Sequence, residues 1–89
     1  MYRVECTFRA QRELDKVQGE EFEHIVVALR GLQNNPRPFG VKKLNGPIHR
    51  IRVGDWRIIY AVFDKDGLVI VGKIARRSEN TYNRFRKLF

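Results

Sequence analysis

The sequence is poor in the residues from which most recognisable sites are built. Its 89 residues include one cysteine, Cys6, so no intrachain disulfide framework and no thiol-based zinc knuckle can form, and a reducing, cytoplasmic compartment is expected. Its two histidines, His24 and His49, have no Cys, His, Asp or Glu partners at ligand spacing, so neither a metal nor a cofactor is expected. No Walker-type loop, nucleophile elbow or paired-carboxylate arrangement is present, which removes the support of most standard enzyme classes. No apolar run approaches bilayer length and the N-terminus lacks a basic-then-apolar leader, so membrane insertion and secretion are not expected. Negative charge is scarce as well, with 10 Asp+Glu against 18 Lys+Arg.

The residues that are there suffice for one modest core. Hydrophobic residues make up 43% and charged residues 31% of the chain, the balance of a single folded domain spanning residues 1–89. The net charge of +8 is unevenly spread. Residues 1–35 hold 5 basic and 6 acidic residues (net −1), whereas residues 36–89 hold 13 basic and 4 acidic (net +9). So concentrated a positive field attracts RNA, DNA, an anionic membrane surface or an acidic protein partner.

Hydrophobic spacing orders the elements. Residues 2–7 (YRVECT) alternate as a half-buried strand does, with Tyr2, Val4 and Cys6 on one side. Thr7 is placed to cap a short helix whose apolar positions are Ala10, Leu14 and Val17, and Gly19 breaks it. A second helix opens on Glu20, Glu21 and Glu23, charges that suit a helix N-terminus, and carries the stripe Phe22, Ile25, Leu29 and Leu32. Asn34, Asn35 and Pro36 end it, and NPRPFGVKKLNGP follows as a surface loop or short turns. Three strand-like runs, IHRIRV, WRIIYAVF and LVIVGKIA, are separated by Gly54-Asp55 and by Asp64-Lys65-Asp66-Gly67, both at hairpin spacing. Ser78 and Glu79 open a last helix with Tyr82, Phe85 and Phe89 on one face. The order β-α-α-β-β-β-α, with consecutive hairpins, predicts an α+β two-layer domain in which the helices pack across an antiparallel sheet.

Side-chain alternation then sorts the basic residues. A two-residue turn at Gly54-Asp55 sets Arg52 opposite Arg57 and Ile51 opposite Ile58, placing Ile51, Val53, Trp56, Ile58 and Tyr60 on one face and Arg50, Arg52 and Arg57 on the other. A four-residue loop pairing Phe63 with Leu68 carries the parity onward, and Ile70, Gly72, Ile74 and Arg76 are expected on the arginine face. Like charges facing each other across strands cost roughly a few tenths to 1 kcal/mol per pair. Arginines on a sheet face are often only its solvated side. Four of them converging with no carboxylate expected among them instead suggest an anion site, because guanidinium groups bind phosphate in bidentate fashion. Trp56 and His49 fall on the apolar face by the same parity, and His24 is expected in solvent.

The segments KKLNGPIHRIRVGDWRIIYAVF and ARRSENTY make the chain similar to the RelE/ParE superfamily of small prokaryotic toxins from toxin-antitoxin pairs. The resemblance spans nearly the whole chain. It includes the element order, the Lys-Leu-x-Gly loop, the basic-apolar-basic strand, the Arg57/Tyr60 pair, and an arginine six residues before a tyrosine. For the RelE branch it implies metal-independent cleavage of mRNA in the ribosomal A site, by attack of a ribose 2′-hydroxyl on the adjacent phosphate. The site residues it implies are Arg57, Arg76 and Tyr82 as catalytic groups and Arg50 and Arg52 as substrate-binding groups. Some relatives carry lysines where Arg50 and Arg52 stand, and a lysine-as-base role does not transfer to arginine. For Tyr82 the resemblance leaves base stacking and proton abstraction both open, and its spacing to Phe85 and Phe89 also fits a core anchor. A cognate antitoxin is implied as partner. The alternatives are a ParE-like gyrase inhibitor without nuclease activity and a basic RNA-binding module that cuts nothing.

Overall fold

In the computed structural model residues 1–76 are described, and the final helix expected from Ser78 onward lies outside them. The chain runs β1 (Arg3–Cys6), α1 (Phe8–Asp15), α2 (Gly19–Asn34), β2 (Lys42–Asn45), β3 (Ile48–Val53), β4 (Trp56–Phe63) and β5 (Leu68–Arg76), with a 3-10 turn at Asp64–Asp66 before β5. The Thr7 hydroxyl accepts from the Ala10 amide at 3.1 Å and so caps α1. Glu20 and Glu21 occupy the first turn of α2, where their charge opposes the exposed amide dipoles.

The strands form one sheet in the order β1-β5-β4-β3-β2. Two features depart from the sequence expectation. The segment expected as loop contains β2, which pairs antiparallel with β3. Four residues with two lysines and mostly exposed side chains have no apolar alternation to betray them, and such charge is typical of an edge strand. The sheet is also mixed, because β1 lies parallel to β5. Its connection into the sheet passes through both helices, long enough for a parallel crossover, whereas β2 to β5 are joined by tight antiparallel turns.

Both helices pack on one face of the sheet. Ala10, Leu14, Ile25, Leu29 and Leu32 meet Ile58, Tyr60, Val62, Val69, Val71 and Ile74, all buried. Phe22, expected in the α2 stripe, is instead 37% exposed and lies outside the buried core. Where β1 ends, α1 takes over the edge of β5: the Glu13 carboxylate accepts from the Ile74 amide at 2.9 Å and binds the Lys73 ammonium.

Candidate functional site

The β3–β4 hairpin has the expected register. Arg52 is opposite Arg57, Ile51 opposite Ile58 and Arg50 opposite Ile59. The turn is made possible by Gly54, whose φ of +58° at the first central position suits the twist of the strands. Arg50, Arg52 and Arg57 therefore lie together on the face turned away from α1 and α2. They form a gradient of exposure, with Arg52 exposed, Arg57 intermediate and Arg50 only 9% exposed. Strands β2, β3 and β4 contain no aspartate or glutamate. Charge held in this partly desolvated setting acts on an anion more strongly than it would in water.

Arg76 does not join that face. The Phe63–Leu68 pairing is present, and Ile70 opposite Ala61 keeps the expected parity, but β5 bulges before its end: Tyr60 pairs Val71 while Ile59 pairs Lys73, leaving Gly72 as the extra residue. One added residue inverts every side chain beyond it. Ile74 and Arg76 consequently turn to the helix side, opposite Ile58 and Trp56, and Lys73 and Ala75 take their places on the arginine face, opposite Ile59 and Arg57. The Arg76 guanidinium lies 4.7 Å from the Trp56 ring centroid and 3.9 Å from a Glu21 carboxylate oxygen. That same oxygen accepts from the Trp56 indole at 2.6 Å. Arg76 thus stands at the same end of the sheet as Arg57, one residue beyond its cross-strand neighbour, around the rim. Tyr82 lies outside the described residues.

Register adds a residue that the sequence reading left in a loop. Lys42 is opposite Arg50, so Lys42, Arg50, Ile59 and Lys73 make one row across β2, β3, β4 and β5. Its only sequence signal was the parity of a strand too short and too charged to be seen.

The histidines take no part in this row. His24 is exposed. His49 is 3% exposed, stacks on Tyr60 at 5.7 Å between ring centroids, and donates through Nδ1 to the Pro47 carbonyl at 2.7 Å. Burial lowers its pKa. The Tyr60 hydroxyl donates to the Pro36 carbonyl at 2.7 Å, and burial pushes its pKa up to about 12. Beside them Asp64 accepts from both terminal guanidinium nitrogens of Arg37 (3.1 and 2.9 Å) and from the Tyr2 hydroxyl at 2.6 Å. These hydrogen bonds, Arg37 foremost, hold its carboxyl down at about 2. The network ties the 35–41 loop to the β4–β5 turn and is a fold element. Among the described residues no group of three His, Cys, Asp or Glu is arranged to hold a metal ion, and no helix is long and apolar enough to cross a membrane.

Comparison with known proteins follows the same lines. Residues 4–81 match the family described as ParE toxin of type II toxin-antitoxin system, parDE. An archaeal protein that carries the name toxin RelE1, from Methanocaldococcus jannaschii, is 30% identical over 81 residues, which is 85% of this chain and 90% of that protein. Among solved structures, the archaeal RelE-RelB complex from Pyrococcus horikoshii superposes with a TM-score of 0.80 at 28% identity, covering 89% of this chain and 98% of that one. The isolated Escherichia coli RelE toxin shares the fold, with a TM-score of 0.78 at 22% identity over 98% of this chain and 97% of that one. With the family match spanning most of its length and the arginine-bearing hairpin in the predicted register, the chain belongs to the RelE/ParE superfamily of toxins from type II toxin-antitoxin systems.

Proposed function

We propose that this toxin is a metal-independent endoribonuclease that cuts mRNA in the ribosomal A site in the cytoplasm and so arrests translation. The observation that carries the reading is the gathering of Arg50, Arg52 and Arg57 on one face of the β3–β4 hairpin. Two of these arginines stand opposite each other in register, so an anion laid on that face meets guanidiniums from both strands.

In the proposed reaction the 2′-hydroxyl of one nucleotide attacks the adjacent phosphorus. The phosphorus bond to the leaving 5′-oxygen breaks, giving a 2′,3′-cyclic phosphate and a 5′-hydroxyl, while the proton lost from the 2′-oxygen is balanced by one gained at the 5′-oxygen. The pentacovalent phosphorane carries more charge than the diester, so guanidiniums already in place stabilise it more than the ground state. Arg57 is assigned to the non-bridging oxygens and Arg50 and Arg52 to the flanking phosphates. Arg76, held at the rim by Trp56 and Glu21, and Tyr82 are assigned catalytic roles on the strength of the family resemblance, Tyr82 as stacking group or proton acceptor. The family implies a cognate antitoxin, and the relative from Pyrococcus horikoshii is a complex with RelB.

A gyrase-poisoning reading is favoured by the ParE name of the matching family. One experiment separates the two. Purified protein is added to translating ribosomes and message ends are mapped, with a DNA supercoiling assay in parallel. Position-specific cuts abolished by a 2′-deoxy substitution support the nuclease, whereas intact message with blocked supercoiling overturns it in favour of the gyrase poison. Intact message with normal supercoiling leaves a plain RNA-binding module.

A further inference from the structure

The arginine face does not account for all the exposed positive charge. Helix α1 buries Ala10 and Leu14 and turns Phe8, Arg9, Arg12 and Lys16 to solvent. Those outward residues line a shallow cavity of about 400 Å³ together with Glu13. Phe8 is 80% exposed, and the Arg12 guanidinium stands 5.7 Å from its ring centroid. The acidic residues of α1 offset this charge only in part. Glu13 is committed to Lys73 and the Ile74 amide, and Asp15, which accepts from the neutral Gln11 at 3.0 Å and keeps its charge, still leaves Arg9, Arg12 and Lys16 in excess. None of the ion pairs among the described residues involves Arg9, Arg12 or Lys16.

The arginine face is turned away from α1, and the two meet around the edge of β5. The row Lys42, Arg50, Ile59, Lys73 crosses the sheet over three strand spacings, roughly 14 Å, and ends where Lys73 meets Glu13 of α1. We propose that the outer face of α1 is a second RNA-binding surface, on which the strand leaving the arginine face lays its phosphates against Arg9, Arg12 and Lys16 and stacks an unpaired base on Phe8. This rests on the nuclease reading of the arginine face. The chemistry is that of single-stranded nucleic acid sites in general, a positive track with an aromatic platform. Phe8 is absent from the core it flanks, and its exposed ring lies beside the Arg12 guanidinium.

The test is binding of the full-length protein to 2′-O-methyl RNA, which it cannot cleave, followed by fluorescence anisotropy over a range of salt. Two probes are used, a tetranucleotide confined to the arginine face and a long unstructured strand able to reach α1. Arg9→Gln/Arg12→Gln/Lys16→Gln is expected to weaken the long strand at least tenfold and to reduce its log–log salt slope by about 2, three charges at roughly 0.7 each, while leaving the tetranucleotide unchanged. Phe8→Leu is expected to weaken the long strand severalfold without altering the slope. Unchanged affinity and slope for the long strand overturn the proposal, as does an equal loss on both probes, which is the mark of a diffuse field. Loss of antitoxin binding with RNA affinity intact also overturns it and makes the face a protein contact. Arg57→Ala distinguishes the parent reading. It should weaken both probes, and if it leaves RNA binding and message cleavage untouched the arginine site itself fails, whatever α1 does.

Discussion

Arg52 and Arg57 are the pair on which the proposed anion site most directly turns. They stand opposite each other across β3 and β4, and like charges so placed cost roughly 0.2–1 kcal/mol per pair in general. Arg52→Glu should therefore raise the thermal midpoint, read by circular dichroism, while removing message cleavage. A variant that is both less stable and still active would contradict the assignment. Arg57→Ala should lower the cleavage rate at least a hundredfold, the scale of losing one transition-state donor, roughly 3 kcal/mol, with an unchanged far-ultraviolet spectrum. Both residues were legible before any coordinates, because a two-residue glycine turn fixes register and register fixes the face. Arg76 was not. The glycine that misplaced it, Gly72, looks in the sequence like any strand residue with its side chain missing, and only pairing with Tyr60 and Ile59 reveals it as the extra member of a bulge.

At the scale of elements, the two ends of the chain's first helix serve different purposes. Thr7 begins α1 by satisfying the Ala10 amide, and Thr7→Ala should cost about 1 kcal/mol of unfolding free energy in urea titration. Glu13 near the other end completes the edge of β5 where β1 stops. Strand β2 illustrates the opposite case, an element whose existence depends on its neighbour. Lys42 to Asn45 have little intrinsic strand character, and the strand exists because β3 offers an unpaired edge for it. Capping, turn chemistry and helical stripes are local and could be read from residue order. Phe22 shows the limit of a stripe: it sits at the right period yet stays 37% exposed, outside the buried core.

Across the whole molecule, two groups outside the arginine cluster, Asp64 and His49, contribute to the pH dependence of stability. The Asp64 carboxyl is held at about 2, below its ordinary value, by Arg37 and Tyr2. A depressed folded pKa means that its contribution is fully present above about pH 4, the unfolded carboxyl range, and is lost as pH falls toward 2. Asp64→Asn should flatten the fall in melting temperature across that window. His49 acts higher on the scale. Burial lowers its folded pKa below the ordinary 6.5, so the unfolded chain binds the proton more readily, and stability declines as pH drops below about 6.5 until the folded imidazole also titrates. A His49→Gln variant should lose that part of the pH dependence, and a wild-type melting temperature flat from pH 7 to pH 5 would contradict the assignment.

Sequence alone determined helices α1 and α2, the β3–β4 hairpin, the three arginines that share its outer face, and the surplus of positive charge, because each depends on residues near one another in the chain. The tertiary structure decided the rest: that β1 lies parallel at the edge beside β5, that Lys42 joins the row of Arg50, and that Arg76 turns to Trp56 and Glu21 at the rim. Strand partners distant in sequence, and a single residue of slip between them, leave no periodic trace in the chain. They are selected by which edges remain unpaired and which side chains the packed helices must cover.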